Sequence, residues 1–275
     1  MEELFKQIKY KNSKIGYFVY GSGKRLLICF QGYGEESNQF KILYPHLSER
    51  YTIVSIAFPF HQGTVWEESL DLIPHEWSQI IQEIITVVSK EKQNKYSQFS
   101  LSAFSMGGRI GFHLLGEKLL PFSEAVLMAP DGLRVNPWYY LATQTIIGNA
   151  LFKYTMNQPG WVFLLMKPIE KLGLLPGTLL KFAKRYLENE EERKLLYLRW
   201  TTMRRFKANT NKIKKLCEQD GTKLTLVYGK YDPIILKKRS AALRNVANIE
   251  IEELEASHQL IKEKYAAQLA AFFQQ

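Results

Sequence analysis

Sulfur chemistry has little to work with in this chain. Only two cysteines occur in 275 residues, Cys29 and Cys217, too few for a framework of several disulfides or a cysteine-rich zinc site. Cys29 sits in the apolar run 26–30 and reads as a small buried hydrophobe, so nothing requires an oxidising compartment. No stretch approaches the roughly 20 apolar residues of a spanning helix. The nearest case, 135–152, is uncharged but broken by Asn136, Pro137, Thr143, Gln144, Thr145 and Asn149. The opening residues Met1-Glu2-Glu3-Leu4-Phe5-Lys6 lack the apolar core and small-residue cleavage site of a secretory leader. Together these absences predict a soluble, cytoplasmic protein. His46, His75 and His113 lack metal-ligand spacing, and there is no H-E-x-x-H, no P-loop and no G-x-G-x-x-G.

What is present is ordinary globular material. Hydrophobic residues make up 46% and aromatics 13%, well above what a disordered chain carries. The length fits one large domain or one domain with a sizeable insertion. The formal net charge of +10 is unevenly spread: residues 133–217 hold 16 of the 37 Lys and Arg but only 5 of the 27 Asp and Glu. A basic middle segment favours an anionic partner, either a membrane surface or an acidic substrate. A solvated helix face is the plain alternative. No recognition motif accompanies the charge, so nucleic acid is not expected as a partner.

Strand and helix signals alternate along the chain. Residues 3–10 and 14–20 read as a hairpin around Lys11-Asn12-Ser13. Apolar runs at 26–30, 51–57, 99–104, 125–129 and 223–228 predict strands covered on both faces, with a last strand at 249–254. Segments 37–48, 74–90, the stretch after Gly108, 233–246 and 259–273 read as helices. That order predicts an α/β protein with a mostly parallel central sheet and helices on both faces. Residues 131–215 break the rhythm, with Trp138, Tyr139, Tyr140, Trp161, Phe163, Trp200 and Phe206 but no clear strand. They read as a helical insertion between two late strands, leaving 1–130 and 216–275 as the core.

The densest chemical signal is Ala103-Phe104-Ser105-Met106-Gly107-Gly108. A serine between strand and helix, with small residues two places before and after it, suits a sharp turn. Such a turn strains the serine backbone and crowds its neighbours. It also lifts the hydroxyl above the sheet edge, where backbone N–H groups at the helix start can stabilise an oxyanion. On these residues the sequence resembles the α/β-hydrolase family, over nearly all of the chain outside the insertion. The family's usual pattern is G-x-S-x-G, and here Ala103 stands for the first glycine.

The resemblance implies a triad in the chain order nucleophile, acid, histidine. Ser105 is then the nucleophile. Asp232, in Tyr228-Gly229-Lys230-Tyr231-Asp232-Pro233, is the orienting carboxylate. His258, in Ala256-Ser257-His258-Gln259, is the general base. Asp131, after strand 125–129, is an alternative acid. Gln31-Gly32-Tyr33-Gly34 stands where the family usually has His-Gly, and implies the backbone N–H groups of Tyr33 and Met106 as the oxyanion hole. Gln31 replaces the histidine. Pro59-Phe60-His61-Gln62-Gly63 is similar to the family's Pro-Gly-His-Gly turn, and His61 reads as structural.

A serine hydroxyl is a poor nucleophile near neutral pH and needs an adjacent base, itself held in one tautomer by a carboxylate. The resemblance therefore implies a serine hydrolase, needing no cofactor or metal, that cleaves a carboxylic ester of an apolar acyl group through an acyl-enzyme. In this family an insertion at this place forms a lid. Leu164, Leu165, Leu174, Leu175, Leu179 and Leu180 suggest an apolar wall for a small-molecule ester or lipid-like substrate. The Lys and Arg of the same lid would draw it to anionic head groups. The same triad serves a thioesterase, a lysophospholipase or a C–C bond hydrolase. Ala103 and Gln31 leave open a non-catalytic binding protein of the same fold.

Overall fold

The computed structural model describes residues 4–97, 99–164 and 186–273. The chain divides into two compact units, one of Met1–Glu68, Leu72–Arg134 and Phe206–Gln275, the other of Ser69–Asp71 and Val135–Arg205.

The first unit is built on eight strands: β1 (Leu4–Tyr10), β2 (Ser13–Tyr20), β3 (Arg25–Phe30), β4 (Tyr51–Ile56), β5 (Phe99–Phe104), β6 (Phe122–Met128), β7 (Lys223–Gly229) and β8 (Ile249–Leu254). They lie side by side in the order β1-β2-β4-β3-β5-β6-β7-β8. β1 and β2 form the expected antiparallel hairpin, and β2 runs antiparallel to β4. Every later pairing is parallel. β4 and β5 are buried at every position, which requires cover on both faces and explains their unbroken apolar character. β8 closes one edge, with Glu250, Glu252 and Glu253 as charges that discourage further strand pairing.

The parallel register fixes where the chemistry falls. Phe30 pairs with Ala103, Phe104 with Met128 and Gly229 with Leu254, so the carboxyl ends of β3, β5, β6, β7 and β8 share one rim. At the opposite end Glu124 accepts hydrogen bonds from Arg25, Tyr51 and Ser100 at 2.5–2.7 Å. Burial and that carboxylate push the Tyr51 hydroxyl up to about 12.

The helices bounded within the described residues include α1 (Tyr44–Leu47), α2 (Pro74–Glu91), α3 (Met106–Gly116), α4 (Pro137–Gln144), α5 (Ile146–Asn157), α6 (Glu190–Thr202), α7 (Thr210–Asp220) and α8 (Ala266–Ala271). α2 buries Trp77, Ile80, Ile81, Ile84, Ile85 and Val88, the stripe its sequence predicts.

Three expected helices are shorter than their patterns suggest. Residues 37–48 form a 3₁₀ turn at Ser37–Leu43 before α1, and 233–246 contain only a 3₁₀ turn at Lys237–Leu243. Pro233 starts no helix, although the Asp232 side chain accepts from the Ile234 and Ile235 N–H groups at 2.7 and 3.0 Å, the bonds a helix N-cap would make. The closing helix reduces to a 3₁₀ turn at Glu263–Tyr265 followed by α8. Residues 255–262 instead run as a loop that carries His258, tied by the Tyr265 hydroxyl to the Glu255 carbonyl at 2.7 Å.

The insertion is also narrower than 131–215. Residues 206–215 belong to the first unit, because α7 buries Ile213, Leu216 and Cys217 and lies against α3 at Gly116. Lys212, Lys214 and Lys215 made this helix look like part of the basic segment. Within the second unit several cations are spent internally. The Arg193 guanidinium donates to the Met156 and Leu187 carbonyls, and Arg204 and Arg205 share Asp71. Leu165, Leu174, Leu175, Leu179 and Leu180 lie outside the described residues.

Candidate active site

The site is built from the turn between β5 and α3. Ser105 has φ 49° and ψ −113°, a conformation that costs a non-glycine residue energy and survives only when its surroundings impose it. They do: its N–H donates to the Met128 carbonyl, and its own carbonyl accepts from Gly108 and Asp131, each at 2.9 Å. The two glycines are required by contact. A Cβ on Gly107 would lie 2.4 Å from the Phe30 oxygen, and one on Gly108 would lie 2.5 Å from Pro130 Cβ. Ala103 is fully buried within β5.

The hydroxyl so presented meets the other two expected residues. Ser105 Oγ lies 3.1 Å from His258 Nε2, and His258 Nδ1 lies 2.7 Å from Asp232 Oδ2. With the carboxylate as acceptor, Nδ1 carries the proton and Nε2 is left to accept from the serine. Asp232 is 3% exposed, and its other oxygen accepts the two backbone N–H groups of Ile234 and Ile235. Burial alone would raise its carboxyl. The bonds from His258, Ile235 and Ile234 outweigh burial and hold it below the usual carboxylate value. The His258 ring packs on Phe104 at 5.2 Å between centroids.

Asp131 does not reach this arrangement through its side chain. Its carboxylate faces the buried Arg109 at 3.9 Å, and its contribution is the backbone bond to Ser105. The partner of His258 is Asp232.

Tyr33 and Met106 stand on neighbouring segments, the loop after β3 and the first residue of α3. An N–H in the first helical turn has no acceptor within its own helix. The contact of Gly107 with the Phe30 and Gln31 carbonyls draws these two segments together. Gln31, where the resemblance implied histidine, is structural. Fully buried, its amide donates to the Ile56 carbonyl at 2.9 Å and accepts from the Phe58 N–H at 3.1 Å, tying the loop to the exit of β4.

Three further residues secure this rim, and of them only His61 stood out in the sequence. His61 accepts from the Gly34 N–H at 3.2 Å and donates to the Pro59 carbonyl at 3.0 Å. Gln259 donates to Glu35 at 3.3 Å, linking the β3 loop to the His258 loop. Burial raises the Glu35 carboxyl, against the opposing pulls of Gln259 and His258. The motif turn 59–63 pointed to His61 as structural. Glu35 and Gln259 carry no signal beyond adjacency to motif residues.

Neither cysteine competes as a nucleophile. Both are buried, and burial pushes the Cys29 thiol well up and the Cys217 thiol to about 12. Among the described residues no three His, Cys, Asp or Glu side chains group as a metal ion would need. None of the described helices is long and apolar enough to cross a membrane.

No protein-family model matches the chain, and no curated protein matches it. Solved structures do. A thioesterase domain from the curacin biosynthetic pathway is 13% identical with a TM-score of 0.59, covering 100% of both chains. A thermophilic esterase from Thermogutta terrifontis is 11% identical with a TM-score of 0.63, covering 98% of this chain and 94% of that one. A bacterial membrane phospholipase A is 16% identical with a TM-score of 0.65, covering 98% and 85%. Likenesses at such identities establish architecture and leave the reaction to the residues themselves: the chain has the α/β-hydrolase fold.

Proposed function

We propose that the chain is a serine hydrolase that cleaves a carboxylic ester of an apolar acyl group. The observation that carries this reading is the unbroken relay from Ser105 through His258 to Asp232, at 3.1 and 2.7 Å, on a serine held in a strained turn. The composition of 131–215, rich in aromatics and leucine, supports the apolar acyl group.

His258 Nε2 takes the Ser105 proton as Oγ attacks the ester carbonyl. The Tyr33 and Met106 N–H groups stabilise the resulting oxyanion, the interaction that usually contributes most to such catalysis. Collapse of the tetrahedral species expels the alcohol, which receives the proton from His258. Water, deprotonated by the same nitrogen, then attacks the acyl-enzyme, and the free acid leaves as Ser105 regains its proton. Asp232 holds the imidazole in the required tautomer and stabilises its charged form, without itself being protonated.

Labelling with a fluorophosphonate tests this reading directly. A phosphonyl adduct on Ser105, absent in Ser105→Ala, is expected. A folded sample with no adduct would favour a binding protein of the same fold. A panel of p-nitrophenyl esters of rising chain length, run beside acyl thioesters and lysolipids, identifies the leaving group.

A further inference from the structure

We propose that the hairpin of α4 and α5 is a lipid-docking element that seats in the headgroup boundary of an anionic bilayer. This inference stands apart from the triad and does not depend on it.

The hairpin covers few of its large apolar side chains. In a water-facing helix such residues are mostly covered. Here the fully covered positions are Thr143, Gly148 and Met156, with Tyr139 and Phe152 packed on Trp200. Ile146 and Ile147 are 91% and 83% exposed, and Trp138 is 74% exposed, with Tyr140, Leu141, Leu151 and Tyr154 also open. Exposed apolar residues scattered singly need no explanation, whereas a contiguous group marks an interaction site.

The corner that carries the isoleucines is tied by side-chain hydrogen bonds. Thr145 alone separates the helices. Its hydroxyl donates to the Leu141 carbonyl at 2.9 Å and accepts from the Gly148 N–H at 3.0 Å. Asn149 donates to the Ala142 carbonyl at 3.0 Å, and Gln144 to the Arg204 carbonyl at 2.8 Å. The local polar side chains thus have partners within the protein, which lets the corner enter an apolar medium without uncovering them.

Charge selects the occupant. Eighteen consecutive residues, 135–152, carry no charge, and the run is bracketed by Arg134 and Lys153. Exposed aliphatic residues at the corner, exposed aromatics on both helices and a cation at each end of the uncharged run are the residue types a membrane interface takes. Helices of 8 and 12 residues are too short to span and suit a shallow seat. The uncharged corner, rather than the basic excess of 133–217, is therefore the contact, with Arg134 and Lys153 supplying attraction to anionic head groups.

Co-sedimentation with vesicles of ether-linked phosphatidylcholine, with and without ether-linked phosphatidylglycerol, tests the proposal on lipids that have no ester to cleave. The protein is expected to bind the anionic vesicles, and Ile146→Glu/Ile147→Glu to bind at least tenfold more weakly at an unchanged Tm. Arg134→Glu/Lys153→Glu is expected to erase the preference for phosphatidylglycerol. Because both native cysteines are buried, an environment-sensitive dye on Ile147→Cys reads insertion independently, as a blue shift on adding vesicles. Equal binding by the Ile146→Glu/Ile147→Glu variant would overturn the proposal. So would absence of vesicle binding, including the case where the protein instead forms a dimer that this variant abolishes.

Discussion

His61 and Gly34 are joined by a hydrogen bond of 3.2 Å from the glycine N–H to the imidazole Nε2. Nδ1 faces the Pro59 carbonyl at 3.0 Å, so it carries the proton and leaves Nε2 as the acceptor. The neutral ring in this tautomer serves both partners at once. Gly34 directly follows Tyr33, so a buried histidine outside the proposed triad helps to set where the Tyr33 N–H lies.

Phenylalanine at position 61 keeps a ring beside Tyr33 and Phe58, which the imidazole meets edge to face, and deletes the acceptor. Full loss of one oxyanion donor costs about 10²–10³ in kcat, so a loosened one is expected to cost about tenfold. His61→Phe should therefore lower kcat on a p-nitrophenyl ester and leave KM nearly unchanged. A drop in Tm with kcat intact would give His61 a purely structural role.

Asp232→Asn preserves size but presents an amide to His258 and favours the wrong tautomer. The comparable change in the serine-protease template lowers kcat about 10⁴-fold, and a loss of that order is expected here. The same residue links pH to stability. Its folded carboxyl lies below the usual value, so its stabilising contribution is complete above about pH 4 and is lost as pH falls through the folded value. Urea denaturation at pH 7 and at pH 3 should show the wild type losing more on acidification than Asp232→Asn.

Glu35 has the opposite sign. Burial raises its carboxyl above the usual value, so the ionised form costs stability above the folded value, and that cost vanishes below about pH 4. Glutamine at this position keeps an oxygen for Gln259 and carries no charge. Thermal melts should show Glu35→Gln more stable than wild type at pH 8, with the two converging near pH 4. A lower Tm for the variant at pH 8 would mean that pairing with Gln259 and His258 outweighs burial.

Much of the rim was legible because its strands are short apolar runs and the segment around Ser105 resembles a known family's strand-to-helix turn. That resemblance implied Asp232 and His258, each after a strand readable from its own apolar pattern. The misreadings have physical causes. Residues 233–246 and 259–273 have helical composition, but the chain spends 233–236 and 255–262 on the loops that hold Asp232 and His258 at the rim, leaving only short turns and α8. The lysines of α7 hid a core helix. Asp131 follows a strand as Asp232 does, and what separates them is tertiary: Asp232 meets His258 at 2.7 Å, whereas Asp131 faces Arg109 at 3.9 Å. Glu35 and Gln259 were invisible because their roles depend on two loops, 224 residues apart in the chain, meeting at one edge.

The small residues around the nucleophile make a paired prediction, because their reasons differ. A Cβ on Gly107 would meet two backbone oxygens, Phe30 at 2.4 Å and Gln31 at 2.7 Å, and neither can withdraw without moving the loop that bears Tyr33. Gly107→Ala is expected to cost about 1–3 kcal/mol, as overpacking does, and to lower kcat as the two oxyanion segments part. Ala103 is different: it lies in an ordinary strand, with its Cβ 3.7 Å from where a Cβ on Gly111 would sit, so its methyl group has room. Ala103→Gly restores the common G-x-S-x-G spelling, yet it should cost about 0.5–1 kcal/mol through added chain entropy and leave kcat unchanged. Urea denaturation and ester kinetics on both variants check the pair. A rise in kcat for Ala103→Gly would mean that the methyl group distorts the turn it was taken to fit.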